Sequence, residues 1–576
     1  MNNIKRLKKR IMSGKGDIRA DLVLKNAAVL NVFTEKLEEN TDVAITEGFV
    51  AGIGKYSGKK EIDMTGKVIV PGFVDAHIHL ESAAVSPEEF AKAVIPHGTT
   101  AVIADPHEIT NVCGSRGIDY ILKSTETMPL DVFVMVPSCV PATVFDESGE
   151  KFENDEIEKY YSEERVLGLA EMMNYPGVVS CFDEVIEKIE TANRYGRLID
   201  GHAPGLSGYD LNAYISAGIF SEHEATTEKE AMEKLSRGQW IMIREGTASR
   251  NLEALVSLCR PPYSSRCMFS TDDRHPGELI NDGEIDHIIR KAISLGADPI
   301  ACYKIASYNA ATYFKLSSKG AVAPGYVADL VVLDDMKSVS VRYVIKDGRI
   351  VFDGAGDTLS GVNGLTEWEK SEIDKGLLDA VYDTVNIGEV TEKDFHPEGE
   401  RKKVIGLVPG QILTTDEGYA DKIDVNNDIL KLGVVERHHN TGHIGTAYVK
   451  GYGLKSGAVA TCVAHDSHNI IVVGTNERDM AFAVMNLKRL KGGMTVVENG
   501  RVMAELALPV AGLMSDLPAM ETQKRMNSVI AAARKAGVGK EIDPLMTLSF
   551  VSLSVIPKLR LTTRGVVDVD EFRLVE

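Results

Sequence analysis

The segment Pro71-Gly72-Phe73-Val74-Asp75-Ala76-His77-Ile78-His79-Leu80 places two histidines one residue apart at the end of an apolar, β-branched stretch. In an extended strand residues i and i+2 face the same side, so His77 and His79 can present imidazoles to one point. By itself such a pair also suits an exposed edge strand. Its meaning comes from the other cation-binding and proton-moving residues: Glu171 in Gly168-Leu169-Ala170-Glu171, His202 in Gly201-His202-Ala203, His223 in Ser221-Glu222-His223-Glu224, and Asp272 in Ser270-Thr271-Asp272-Asp273. Four imidazoles and two carboxylates without a thiolate suit zinc, manganese or iron(II). Six protein ligands are too many for one catalytic ion that keeps an open position, whereas two ions sharing Glu171 fit the count.

The elements that would gather these residues alternate strand and helix. Eight candidate strands run over 73–79, 100–105, 132–137, 166–171, 198–202, 219–223, 240–245 and 268–272, with helical patterns such as 87–95, 157–161, 182–195 and 227–236 between them. Eight β/α units in about 250 residues is the size of a (β/α)8 barrel, whose active sites sit at the C-terminal strand ends. The six residues fall at such ends: His77 and His79 on strand one, Glu171 on four, His202 on five, His223 on six, Asp272 on eight.

Short strands and glycine-rich turns occupy the chain up to Val70 and return after Gly320. The expected fold class is therefore α/β: a (β/α)8 TIM-like barrel (71–319), a small β-rich domain built from both flanks (1–70 and 320–360), and a C-terminal α+β domain (403–576). Residues 361–402 are charged and weakly patterned and read as a helical linker. In the last domain the patterning predicts strands at 404–408, 470–473 and 494–498, helices at 478–490 and 520–536, and a buried strand at 549–556.

Composition removes several classes of function. With 44% hydrophobic and 26% charged residues the chain reads as globular. Its 64 Lys+Arg against 84 Asp+Glu give a net charge of −20, which argues against nucleic acid as a partner. The basic start, Lys5 to Arg10, lacks a following apolar stretch and reads as a solvated helix or frayed terminus. No apolar run approaches the roughly 18 residues of a membrane span. Seven scattered cysteines without a CxxC pair fit a reducing cytoplasm. There is no GxSxG elbow or Walker loop; glycines 451–457 have the wrong spacing for a dinucleotide fingerprint, and Ile429 stands where a calcium loop over Asp424, Asn426 and Asp428 needs glycine.

From about Ala20 to Gly354 the sequence resembles the amidohydrolase (metallo-dependent hydrolase) superfamily, through PGFVDAHIHLES (71–82), GHAPG (201–205), SEHE (221–224), STDD (270–273) and PGYVADLVVLD (324–334). Within it the chain resembles the adenine deaminase family, through DPHEITNV (105–112), GLAEMMNYPGV (168–178), REGTASRNL (244–252), HDSHN (465–469) and LPVAGLMSDLP (508–518). The resemblance implies two divalent ions per subunit, commonly manganese or iron, with zinc also compatible. It implies hydrolysis of adenine to hypoxanthine and ammonia by a metal-bridging hydroxide attacking C6. His77 and His79 would hold one ion, His202 and His223 the other, and Glu171 would bridge them where many superfamily members use a carboxylated lysine. Asp272 would ligate the first ion and carry the proton to the departing amino group.

Protonation of N1 requires a further acid near the ring. Candidates for purine contact are Asp466 and His468, in a tight turn between apolar runs 458–463 and 470–473. Glu81, His107 and Glu108 after strands one and two, and Arg244 with Glu245 after strand seven, could contact substrate or support the ligands. His438, His439 and His443 are expected to be local structure. The barrel ligands alone also admit a cyclic amidohydrolase of the dihydroorotase or hydantoinase type, which releases no ammonia. A homodimer or higher homo-oligomer is expected of an enzyme this size.

Overall fold

The computed structural model describes residues 3–247, 249–355, 364–395 and 401–575. Eight parallel strands follow one another in chain order: Phe73–Ile78, Thr99–Ala104, Asp131–Val136, Val166–Met172, Leu198–Gly201, Ser221–Glu222, Trp240–Arg244 and Cys267–Ser270. The first five pair successively, as do the last three. A parallel bridge between Ile78 and Asp272 closes the ring at one seam. At the other seam the amide of Gly201 donates to Ser221 Oγ at 3.1 Å.

Below the mouth, Val74, Ala76, Ala101, Ile103, Met135, Ala170, Met242 and Met268 fill the interior, as the layered packing of such barrels requires. In strand one the register against its neighbour shifts between Asp75 and Ile78. The inward role passes there from Val74 and Ala76 to His77 and His79. Main-chain hydrogen bonds from Asp272 N to His77 O (2.9 Å) and from His79 N to Asp272 O (3.1 Å) then tie strand one to strand eight.

Both flanks of the barrel enter one sheet. Its order is Arg349–Asp353, Ser340–Lys346, Leu330–Asp335, Val68–Pro71, Ala20–Asn31, Lys36–Thr46, Phe49–Gly54, with Gly58–Asp63 also on Ala20–Asn31. Val68–Pro71 leads directly into the first barrel strand through Gly72, which lies so close to the Thr100 side chain that a Cβ would collide with it.

The C-terminal lobe holds a second eight-stranded sheet, in the order Thr414–Ala420, Lys402–Leu407, Ile444–Lys450, Ile429–Val435, Ile470–Gly474, Ala458–Thr461, Gly493–Glu498, Arg501–Ala507. Alternate residues face opposite sides of it. Leu430, Leu432, Ile471 and Val473 pack under the helix Ala519–Lys535, while Ile470, Val472, Ala458 and Ala460 pack under Glu477–Leu490.

Two expectations need correction. Of 361–402, the described part forms one seven-residue helix, Lys375–Val381, and a short turn, Glu392–Phe395. Between them runs a non-helical strap that, with the turn, buries Val385, Ile387, Val390 and Phe395 against the C-terminal sheet, so the described part is docked rather than a helical linker. The apolar run 549–556 forms no strand; Met546–Val551 is helical, and the carbonyls of Phe550, Ile556 and Pro557 are captured by Arg560 instead of a neighbouring strand. The basic start takes the first of its two expected forms, an exposed helix, Asn3–Gly14, held by Arg6 and Lys9 on Glu47 and Asp21. Among the described residues no helix is long and apolar enough to cross a membrane.

Candidate active site

The barrel mouth brings all six predicted donors together around Glu171. Its Oε1 lies 3.5 Å from His79 Nε2 and 3.9 Å from His77 Nε2; its Oε2 lies 2.6 Å from His202 Nδ1 and 3.1 Å from His223 Nε2. Asp272 Oδ1 lies 3.2 Å from His79 Nε2 and 3.9 Å from His77 Nε2. The imidazoles crowd one another: His77 stacks on His223 with ring centres 4.4 Å apart and 4.8 Å from His79. His79 Nδ1 meets the Asp105 carbonyl at 2.9 Å, which places its proton on Nδ1 and leaves Nε2 as an electron-pair donor.

Electrostatics set the protonation of this cluster. Burial, then the neighbouring His223 and His79, push His77 well below its ordinary value, so it is a neutral imidazole. Burial alone would raise Glu171, but the imidazoles of His202 and His223 hold it well below the usual carboxylate range. Asp272 is likewise kept low against its burial by the Arg244 guanidinium and His79.

The cluster fits a pair of divalent cations. His77 Nε2 is buried with no hydrogen-bond partner, a costly state that cation coordination relieves. His77, His79 and Asp272 offer donor atoms within 4.8 Å of one another, and so do His77, Glu171 and His223. Nitrogen and oxygen donors in this mixture suit borderline and hard divalent ions.

Above the cluster a cavity of about 670 Å³ opens between barrel and C-terminal lobe. The expected contact residues divide around it. His107, Glu108, Arg244 and Asp466 line it, whereas Glu81 and His468 do not. Glu81 accepts from the Ile109 amide at 2.9 Å, and burial pushes it up to about 7. His468 spends Nε2 on Glu108 and receives the Ala464 amide on Nδ1, so it braces the 464–469 turn from behind. Arg244 clamps Asp272 and Glu224, the latter at 2.5 and 3.0 Å; two carboxylates occupy both its Nη atoms, while Nε is buried without a partner. Glu245 pairs with Lys291 at 2.7 Å. His438 meets the Ser467 carbonyl at 2.7 Å, His439 the Ser148 carbonyl at 3.1 Å and His443 the Glu147 carboxylate at 2.9 Å.

Two residues enter the site without having been singled out as site residues. Glu224 stands 3.4 Å from His223 Nε2 and 3.7 Å from His202 Nδ1; adjacency to His223 was its only signal. His465 lines the cavity with Nδ1 2.5 Å from Glu108 Oε1, and the HDSHN motif pointed to its neighbourhood without separating it from His468.

Comparison with known proteins agrees with this architecture along the chain. Residues 68–351 match the amidohydrolase family and residues 411–573 the adenine deaminase C-terminal domain. The sequence is 44% identical to a protein named adenine deaminase 2 from Carboxydothermus hydrogenoformans, covering 99% of each chain. It is 43% identical to an adenine deaminase from Clostridium acetobutylicum over 98% of this chain and 99% of that one. An adenine deaminase from Halalkalibacterium halodurans is 41% identical over 99% and 98%.

Proposed function

The chain belongs to the adenine deaminase family of the amidohydrolase superfamily, and we propose that the buried cluster at its barrel mouth converts adenine and water to hypoxanthine and ammonia. The observation that carries this reading is Glu171, placed within 2.6–3.9 Å of four imidazoles drawn from three different strand ends. A carboxylate so placed can join two cation sites.

His77, His79 and Asp272 would hold one divalent ion, His202 and His223 the other, with Glu171 shared between them. Such ions, when bound, lower the pKa of water toward neutrality and neutralise charge that develops on the attacked ring. The chain's own groups do the rest. Asp272, kept ionised by Arg244, accepts the proton of the attacking water and returns it to the departing amino nitrogen. Arg244 and Glu224 hold Asp272, His202 and His223 in place from the outer side. His107 and Glu108 close the mouth toward the C-terminal lobe, and Glu81 supports the start of the helix His107–Cys113 that carries them.

Manganese or iron(II) is the metal we assign, with zinc a third ion that the same donors accept. The partner is a purine base rather than nucleic acid or membrane, and the working form is a cytoplasmic homodimer or higher homo-oligomer. We assign the barrel to 71–319, the two-flank β domain to 1–70 and 320–360, and the C-terminal domain to 403–576; separate sheets and cores support this division. The test is to load purified protein with manganese or iron(II), supply adenine, and follow ammonia together with the purine absorbance shift. Ring opening of a hydantoin without ammonia from adenine would replace this reading with cyclic amide hydrolysis.

A further inference from the structure

Among the C-terminal residues that line the cavity, His465 and Asp466 stand next to each other in the chain and both carry polar side chains. Both are more than nine-tenths buried, at 5% and 3% exposure, and each keeps one polar atom that the protein does not use. His465 turns Nδ1 to Glu108 at 2.5 Å and lies nearly parallel to Phe550, ring centres 4.8 Å apart; among the described residues nothing hydrogen-bonds its Nε2. Asp466 Oδ2 has no hydrogen-bond partner, and Oδ1 comes no closer than 3.9 Å to His107 Nε2. Asp466 Oδ2, buried and unpaired, would cost stability as packing alone, and His465 beside it keeps Nε2 free at the cavity. They suit a ligand that offers an acceptor next to a donor.

A purine offers that pair where it is needed. With C6 turned toward Glu171 and Asp272, the ring atom directly across from C6 is N3, an acceptor, and N9–H, a donor, stands beside it. One imidazole, His107, separates Asp466 from Glu171, 3.9 Å on one side and 3.6 Å on the other. A purine lying alongside that imidazole can face Glu171 at one end and Asp466 at the other.

We propose that His465 donates from Nε2 to N3 and Asp466 accepts from N9–H, so that the C-terminal lobe selects the free purine base over N9-substituted purines. The inference rests on the adenine deaminase reading and adds the residues that choose the substrate. Burial opposes charge on His465, but Glu108 and then Asp273 overcome it and raise the imidazole to about 9, which leaves Nε2 protonated at neutral pH. A cavity of about 670 Å³ suits ligands larger than a base, so shape alone does not turn an N9 substituent away. Loss of the N9 donor does, because Asp466 is then buried facing a group it cannot bond.

The experiment compares adenine, 9-methyladenine and 3-deazaadenine as substrates of the manganese-loaded full chain, for the wild type, Asp466→Asn and His465→Gln, with metal content and melting temperature recorded for each. The wild type should prefer adenine over 9-methyladenine by about 10³-fold or more in kcat/KM. Asp466→Asn should raise KM for adenine and shrink that preference to about tenfold, leaving the discrimination against 3-deazaadenine in place. His465→Gln should shrink only the latter. A wild type that turns over 9-methyladenine as readily as adenine overturns the proposal without any variant, and so do folded variants that keep the wild-type preferences. No ammonia from adenine with any metal would instead sink the deaminase reading itself.

Discussion

The floor and the roof of the cavity are both buried and both charged, yet they are built on opposite terms. On the floor, carboxylates and imidazoles face one another at 2.6–3.9 Å, and His77 Nε2 is left without a partner. On the roof, Arg437 and Arg560 are fully buried, and among the described residues neither pairs with a carboxylate. Arg437 donates to the carbonyls of His468 and Ala511 and to Thr384 Oγ1. Arg560 donates to the carbonyls of Ile556, Phe550, Ile412 and Pro557 at 2.6–2.9 Å. Burial lowers both guanidinium groups, Arg560 to about 9. The floor leaves charge incomplete for cations and substrate to complete; the roof spends charge on backbone carbonyls to fix the shape of loops. One region does chemistry and the other holds position.

The comparison breaks most visibly if the floor works without cations. Removing metal with a chelator should abolish ammonia release, and manganese should restore it, while the C-terminal sheet keeps its circular dichroism. Apo protein that retained substantial turnover would mean that the imidazoles alone suffice. A smaller loss is expected from Asp272→Asn, which keeps an oxygen ligand and removes the proton acceptor. Its kcat should fall about 10²–10⁴-fold with most metal retained by elemental analysis. Near-wild-type turnover would remove Asp272 from proton transfer.

The roof should respond in stability rather than chemistry. Arg437→Leu leaves the carbonyls of His468 and Ala511 buried and unpaired, at a cost of about 1–3 kcal/mol each. The thermal midpoint should drop by several degrees while metal content stays at the wild-type level. Loss of metal with an unchanged midpoint would show that the 464–469 turn holds the floor as well as the roof.

The floor was legible in the sequence because strand periodicity and the rule about strand ends act within a few residues of each donor side chain. His77, Glu171, His202 and Asp272 each sit where an apolar strand stops. The roof was not, because its logic is long-range. Arg560 looks like any surface arginine until Ile412, 148 residues away, supplies one of its acceptors. The run 549–556 carries the β-branched pattern of a strand, but no edge is there to receive it, and its carbonyls go to that arginine. Glu224 was hidden for another reason: its partner Arg244 closes the pair only when strands six and seven lie side by side. The strap after Val381 showed charge and weak patterning, and nothing local marks Val385 or Ile387 as buried against strands that come 40 and more residues later.

The finest division between floor and roof comes from Arg560→Lys. Lysine keeps the charge but replaces a planar fork of five donors by a compact ammonium with three, so the four carbonyls cannot all be met. One or two hydrogen bonds worth about 1 kcal/mol each would be lost, enough to loosen the wall that carries Phe550 behind His465. KM for adenine should rise about fivefold, the equivalent of 1 kcal/mol, while kcat stays within about twofold, since a positioning defect weakens ground state and transition state alike. The opposite pattern, a fall in kcat at constant KM, would place the roof inside the reaction, because only a group whose contact strengthens as C6 becomes tetrahedral alters kcat alone.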